Sequence, residues 1–153
     1  MRILYVLLLL FSTPSFAQET LHLYGGSSTS FQLHDYNVEE GRFGGVSGQL
    51  SAVYQNAGAT AILGVSFRNE EYTLHTDLVL TQFLEIGTKK IALLATGGLQ
   101  NDQLLGAEGF AGTGILLHNS GGNLFSLKYI KTRFSKDFYN YSKVVLTISF
   151  KII

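Results

Sequence analysis

Beyond about residue 20 the chain alternates apolar and polar positions almost throughout. Between 59 and 68 the odd positions are Ala59, Ala61, Leu63, Val65 and Phe67, and the even ones are Thr60, Ile62, Gly64, Ser66 and Arg68. One face is apolar and the other small or polar, with Ile62 the exception. Successive side chains of a strand point to opposite faces, so this alternation predicts a strand whose two faces meet different surroundings. The same reading applies to 21–31, 46–54, 72–86, 91–100, 107–118, 124–134 and 144–153. The last is the cleanest: Val144, Leu146, Ile148, Phe150 and Ile152 oppose Val145, Thr147, Ser149 and Lys151. The seventh is the weakest, because Lys131 and Arg133 interrupt its apolar side. No segment after Ala17 carries a convincing helical period.

Eight segments of mostly about ten residues match the roughly 9–11 residues a tilted strand needs to cross a bilayer. The connections differ in kind on the two sides. Gln55-Asn56-Ala57-Gly58, Gly87-Thr88-Lys89-Lys90 and Asn119-Ser120-Gly121-Gly122-Asn123 are short and rich in turn-forming residues. Opposite them lie longer connections at 33–43, 101–106 and 135–141, and one short turn at 69–71. Short turns at one end and longer loops at the other, on an even number of strands, are the pattern of transmembrane barrels. The expected fold is therefore all-β, an eight-stranded antiparallel up-and-down transmembrane β-barrel over residues 18–153. Its N-terminus and short turns are expected on the periplasmic side.

The first residues read differently. Met1 and Arg2 are followed by an unbroken apolar run over 3–11 and then by small and polar residues, with Pro14 ahead of Ser15-Phe16-Ala17. This is the pattern of a secretory signal peptide, cleaved after Ala17. The apolar run is shorter than the roughly 20 residues a spanning helix needs. Export makes the absence of cysteine informative. Disulfides, a metal–thiolate site and a cysteine-linked lipid anchor are all excluded, so the stability must come from elsewhere, and a closed hydrogen-bonded barrel in a membrane is one such source.

Composition decides which face meets lipid. The chain has 11 basic and 11 acidic residues, and charged residues are 14% of the total, against about 25% in soluble domains. No basic surface invites a nucleic acid. In a soluble barrel the face opposite the apolar stripe would meet water and be rich in Lys, Glu and Asp. Here it is mostly Ser, Thr, Gly and small apolar residues, which suit a narrow, packed interior. Its ionisable members are Arg68, His75, Asp77, Glu85, Glu108, His118, Lys128 and Lys151. Among them Arg68, His75, Asp77 and Glu108 are expected to form an ionic cluster in the lumen. On the apolar face Phe31, Phe67 and Tyr72 fall toward the loop end and Tyr54, Phe125 and Phe150 toward the turn end, as interfacial aromatic girdles would.

With signal peptide, alternation, strand count and apolar final strand in place, the mature chain resembles the small eight-stranded outer-membrane proteins of the outer-membrane protein A/X and opacity type. The resemblance is architectural, spans 18–153 and rests on no sequence motif. It implies an outer-membrane location, outer-membrane lipid and lipopolysaccharide as surroundings, and the barrel-assembly machinery as a partner. One departure is the C-terminus: such proteins usually end in an aromatic residue, whereas this chain ends Phe150-Lys151-Ile152-Ile153.

Three further features suggest chemistry. His118-Asn119-Ser120 resembles the His-x-Ser of outer-membrane lipid A deacylases, in which histidine activates a serine nucleophile. Such a site also needs a group to orient the histidine, and no glutamate follows Glu108. A polar turn is the simpler account of the motif. His34, Asp35 and Tyr36 in the first long loop, and Phe138, Tyr139 and Tyr141 in the last, are candidate contacts for an extracellular ligand; tyrosine-rich loops favour such contacts. No metal or cofactor motif is present. The expected function is a non-enzymatic outer-membrane barrel with a side-chain-filled lumen and a structural or surface-binding role. The alternatives are a lipid A-modifying enzyme and a soluble periplasmic barrel that binds a small apolar ligand.

Overall fold

The computed structural model describes residues 21–33, 43–68, 71–86, 90–103, 106–133 and 140–153. Residues 1–17, and with them the expected signal peptide, lie outside these. So do His34, Asp35, Tyr36, Phe138 and Tyr139, and the side chains of Arg68 and Tyr141.

Eight strands follow in chain order: β1 (His22–Leu33), β2 (Phe43–Tyr54), β3 (Ala57–Arg68), β4 (Glu71–Ile86), β5 (Ile91–Asp102), β6 (Gly106–His118), β7 (Leu124–Arg133) and β8 (Asn140–Lys151). Each pairs antiparallel with its neighbours in sequence, and β8 returns to β1 to close the barrel. The closing register runs from Tyr24 opposite Lys151 to Leu33 opposite Ser142. All eight expected strands are present, and the alternation places their faces as read.

Most boundaries shift, and six strands, β1, β2, β4, β5, β6 and β8, reach further at the loop end than the alternation suggested. The fifth strand continues past Gln100 to Asp102, and the eighth begins at Asn140 rather than Val144. The sequence reading stopped where outward apolar residues stop. At these places the outward positions turn polar, Asn101 on β5 and Ser142 on β8, while hydrogen-bonded pairing continues. At the other end the turns tighten. Ala57 and Gly58 belong to β3, leaving Gln55-Asn56 as the turn, with Gln55 at φ 54°. In the β6–β7 turn the Asn119 side-chain oxygen accepts from the amides of Gly121 (2.9 Å) and Asn123 (3.0 Å). Gly122 there has φ 80°, a conformation side chains other than glycine's resist.

The outward wall is largely apolar: Leu63, Leu80 and Leu99 are each more than 60% exposed, and Leu50, Leu78, Leu84 and Phe150 more than 50%. A water-soluble protein rarely exposes so large a continuous apolar surface, and a lipid-facing one requires it. Phe31 and Tyr72 lie exposed near the loop end, where Tyr72 meets Phe67 edge-on at 5.4 Å between ring centres. Tyr54, Phe125 and Phe150 lie exposed toward the turn end.

The interior is less uniformly polar than the sequence reading held. Near the turn end Tyr24, Ala92, Leu94, Leu116 and Leu124 pack together with Val53 and Phe83. At mid-height Val79, Phe110, Ile130 and Val145 form a second apolar layer with Ile62. Between them lies a belt of hydroxyls and amides, including Thr60 to Ser51 (2.9 Å) and Gln49 to Ser149 (2.7 Å). A small barrel has room for little besides its own side chains.

If the wall faces lipid, Leu78→Arg should lower the folding free energy in phospholipid vesicles by about 2–4 kcal/mol, the usual penalty for arginine near the bilayer midplane. Urea titration of vesicle-folded protein reads this directly. A change below about 0.5 kcal/mol, the size expected at a water-facing surface position, would argue that β4 does not face hydrocarbon.

Candidate functional site in the loop-end lumen

The charged part of the lumen lies beneath the loops, above the mid-height apolar layer. β4 runs Thr73, His75 and Asp77 down its inner face, and β5 contributes Gln100 and Asp102. β6 adds Glu108 and β8 adds Lys143. The register sets Asp77 beside Gln100 and Gln100 beside Glu108, so these three form one row across adjacent strands. Asp102 sits opposite His75 one step higher.

The hydrogen bonds tie this region together. Lys143 Nζ donates to Gln100 Oε1 at 3.0 Å. Thr73 Oγ1 donates to Asp102 Oδ2 at 3.1 Å. Ser66 Oγ and His75 Nδ1 are 2.9 Å apart. Asp77 and Asp102 lie close enough for their charges to act on Lys143. Among the described residues Gln100 and Asp102 are the most deeply buried side chains, each 1% exposed. Buried carboxylates are tolerated where a cation and hydrogen bonds offset their lost hydration. Even so, Asp77 Oδ1 and Glu108 Oε1 are buried without a hydrogen-bond partner among the described residues.

Gly64 makes the imidazole's position possible. A Cβ on Gly64 would lie 2.5 Å from His75 Cε1 and 2.7 Å from Nε2. The ring therefore packs against the β3 backbone, within reach of Ser66. Further down, Lys128 lines a small cavity of about 40 Å³ with Gln49, Ser51, Ser126 and Thr147.

Of the expected lumen cluster, His75 and Asp77 are brought together, and Glu108 joins their row through Gln100. Arg68 ends β3 at the loop side, opposite Glu71 in the backbone register of β3 and β4. The sequence reading missed Gln100 as a participant, and Asp102 and Lys143 altogether. Continuing the alternation two residues past Gln100, and one step back from Val145, would have found both. His118 is half-buried at the turn end of β6, within range of the Glu85 charge, while Ser120 is exposed in the turn. No hydrogen bond links the His118 side chain to Ser120 or to Glu85 among the described residues. Among those residues, too, no three His, Cys, Asp or Glu side chains converge on a metal-sized point.

Closed pairing, an apolar outer wall and a filled interior define a class, the eight-stranded transmembrane β-barrel. Comparison with known proteins agrees at the level of fold. No protein-family model and no curated protein matches the chain. Among solved structures the chain is similar to a designed protein described under "De novo design of transmembrane beta-barrels". The TM-score is 0.64 at 12% identity, covering 90% of this chain and 100% of that one. It is also similar to the Yersinia pestis outer membrane protein Ail, whose backbone structure was determined in a phospholipid bilayer nanodisc. Here the TM-score is 0.44 at 10% identity, covering 82% of this chain and 99% of that one.

Removing the cation should be more damaging than its half-buried position suggests. Lys143→Met leaves Asp77 and Asp102 without the charge of Lys143 and should destabilise the barrel by about 2–3 kcal/mol. Adding Asp102→Asn should recover part of that loss. A double-mutant cycle in urea with no coupling between the two positions would contradict the ion-pair reading.

Proposed function

We propose that the chain is a non-enzymatic outer-membrane β-barrel protein, exported by a signal peptide cleaved after Ala17. In this reading it serves envelope structure and presents its loops for surface binding. The observation that carries the proposal is the inversion of the usual protein: large apolar side chains outside, buried carboxylates and a lysine inside. Such an arrangement is stable only where the outer wall is bathed in hydrocarbon. The packed lumen supports a structural over a conducting role, because two apolar layers lie across the path a solute would take.

Outer-membrane lipid and lipopolysaccharide are the surroundings this reading requires, and the barrel-assembly machinery is the partner that would insert the chain. A loop ligand would meet His34, Asp35, Tyr36, Phe138, Tyr139 and Tyr141. The deacylase reading is disfavoured by the separation of its parts: an exposed Ser120 and a half-buried His118 with no hydrogen bond between them. A serine without an adjacent base is a poor nucleophile.

Two measurements test this. Expressed with its full leader in a Gram-negative host, the protein should fractionate with the outer membrane and migrate faster on gels before boiling than after. Mature protein that stays soluble in the periplasm would overturn the proposal. The lipid A mass profile should be the same with wild type, with Ser120→Ala and with empty vector. A deacylated species present in wild type and lost in Ser120→Ala would reinstate the enzyme.

A further inference from the structure

Lys128 and Lys143 both project into the lumen, and they are served differently. Lys143 has Gln100 as a hydrogen-bond acceptor and the charges of Asp77 and Asp102 within range. Lys128, lower down on β7, has neither. Its register partners are Gly114 on β6 and Val145 on β8, which offer no side-chain acceptor. Among the described residues its ammonium makes no hydrogen bond, and the charge that acts on it is that of Lys143, of the same sign. No aspartate or glutamate lines the cavity of about 40 Å³ on which Lys128 borders.

The other polar groups around that cavity have hydrogens to spare. Gln49 gives an amide hydrogen to Ser149 Oγ at 2.7 Å, and Thr60 gives its hydroxyl hydrogen to Ser51 Oγ at 2.9 Å. Ser149 and Ser51 therefore accept, and their own hydroxyl hydrogens are left over. Thr147, only 6% exposed, has a buried hydroxyl with no partner among the described residues. It stands opposite Ser126, two residues from Lys128 on the same face of β7. Against these donors the cavity offers one unpartnered buried acceptor, Gln49 Oε1.

We infer that this cavity binds one small monovalent anion, of the chloride kind, held by the Lys128 ammonium and the Thr147 hydroxyl. A buried ammonium is tolerated where a counter-charge and hydrogen bonds offset its lost hydration. Here no carboxylate supplies the counter-charge, and the surplus of donors suits an ion that only accepts. A cation would meet the ammonium's repulsion, and a divalent anion would bring more charge than one lysine balances. Water alone would leave the ammonium unbalanced. The space is large enough for a small ion beside a water that reaches Gln49 Oε1, since a single water requires roughly 10–15 Å³. Apolar layers bound the belt above and below, which strengthens the pairing by excluding bulk water. They also mean that the ion is taken up as the barrel closes. The inference goes beyond the proposed function, which assigns nothing to the lumen except filling.

The test is urea titration of the full mature chain in phospholipid vesicles, run from both the folded and the unfolded side so that a trapped ion equilibrates. Sodium chloride is compared with sodium gluconate, whose anion is too large for the cavity, at equal ionic strength. A ligand bound only by the folded state raises the folding equilibrium constant in proportion to its concentration once above its dissociation constant. For wild type each tenfold exchange of gluconate for chloride in that range should therefore raise the constant about tenfold. Lys128→Met should be indifferent to the exchange, and Thr147→Val should need more chloride for the same rise. Equal wild-type constants in the two salts, as a neutral amine in this cavity would give, would overturn the site, and so would a chloride dependence that survives in Lys128→Met. If Lys128→Met does not fold, wild-type crystals grown in bromide decide: an anomalous peak within hydrogen-bond distance of Lys128 Nζ is expected, and its absence there overturns the assignment. A barrel that folds into vesicles without any chloride dependence loses the site and keeps the membrane reading.

Discussion

Everything in this molecule depends on the pairing of β8 with β1. In a bilayer a backbone amide or carbonyl has no water to turn to, and leaving one unpaired costs several kcal/mol. An open eight-stranded sheet would present two edges of such groups. The register from Tyr24–Lys151 to Leu33–Ser142 removes both edges at once. Closure then fixes the rest: one face of every strand must look outward to lipid, and the other into a lumen too narrow for bulk water.

The lumen is therefore built as a soluble core would be, with polar groups admitted where they can be paired. Two apolar layers lie at the turn end and mid-height, a belt of hydroxyls that also holds Lys128 lies between them, and the buried carboxylates sit at the loop end. The placement has an electrostatic logic. At the loop end buried carboxylates are nearest to water, and Lys143 lies within range of the charges of two of them. Gly64 contributes by what it lacks, since any side chain there would push the imidazole off the β3 backbone.

Much of this was legible in the sequence because lipid and lumen impose opposite demands on neighbouring residues. The alternation of β8, from Val144 to Phe150, is as clear in the chain as in the barrel. Legibility fades in two places for physical reasons. At the loop end the wall leaves hydrocarbon before the pairing ends, so Asn101 and Ser142 hide the continuation of β5 and β8. That concealed Asp102 and Lys143, the centre of the ionic cluster. Inside the barrel, apolar residues occur on the inner face as well, as with Ile62, Leu94 and Phe110, and this weakens the contrast between faces.

The most direct test of the account uses the absence of cysteine. Single cysteines placed one at a time from position 76 to 80 on β4, spin-labelled and folded into phospholipid vesicles, report local access to lipid-soluble oxygen and to a water-soluble nickel reagent. Positions 76, 78 and 80 should be reached readily by oxygen and hardly by nickel, whereas 77 and 79 should be shielded from both. High nickel access at the even positions, or loss of the two-residue alternation, would contradict a closed barrel whose apolar wall faces lipid.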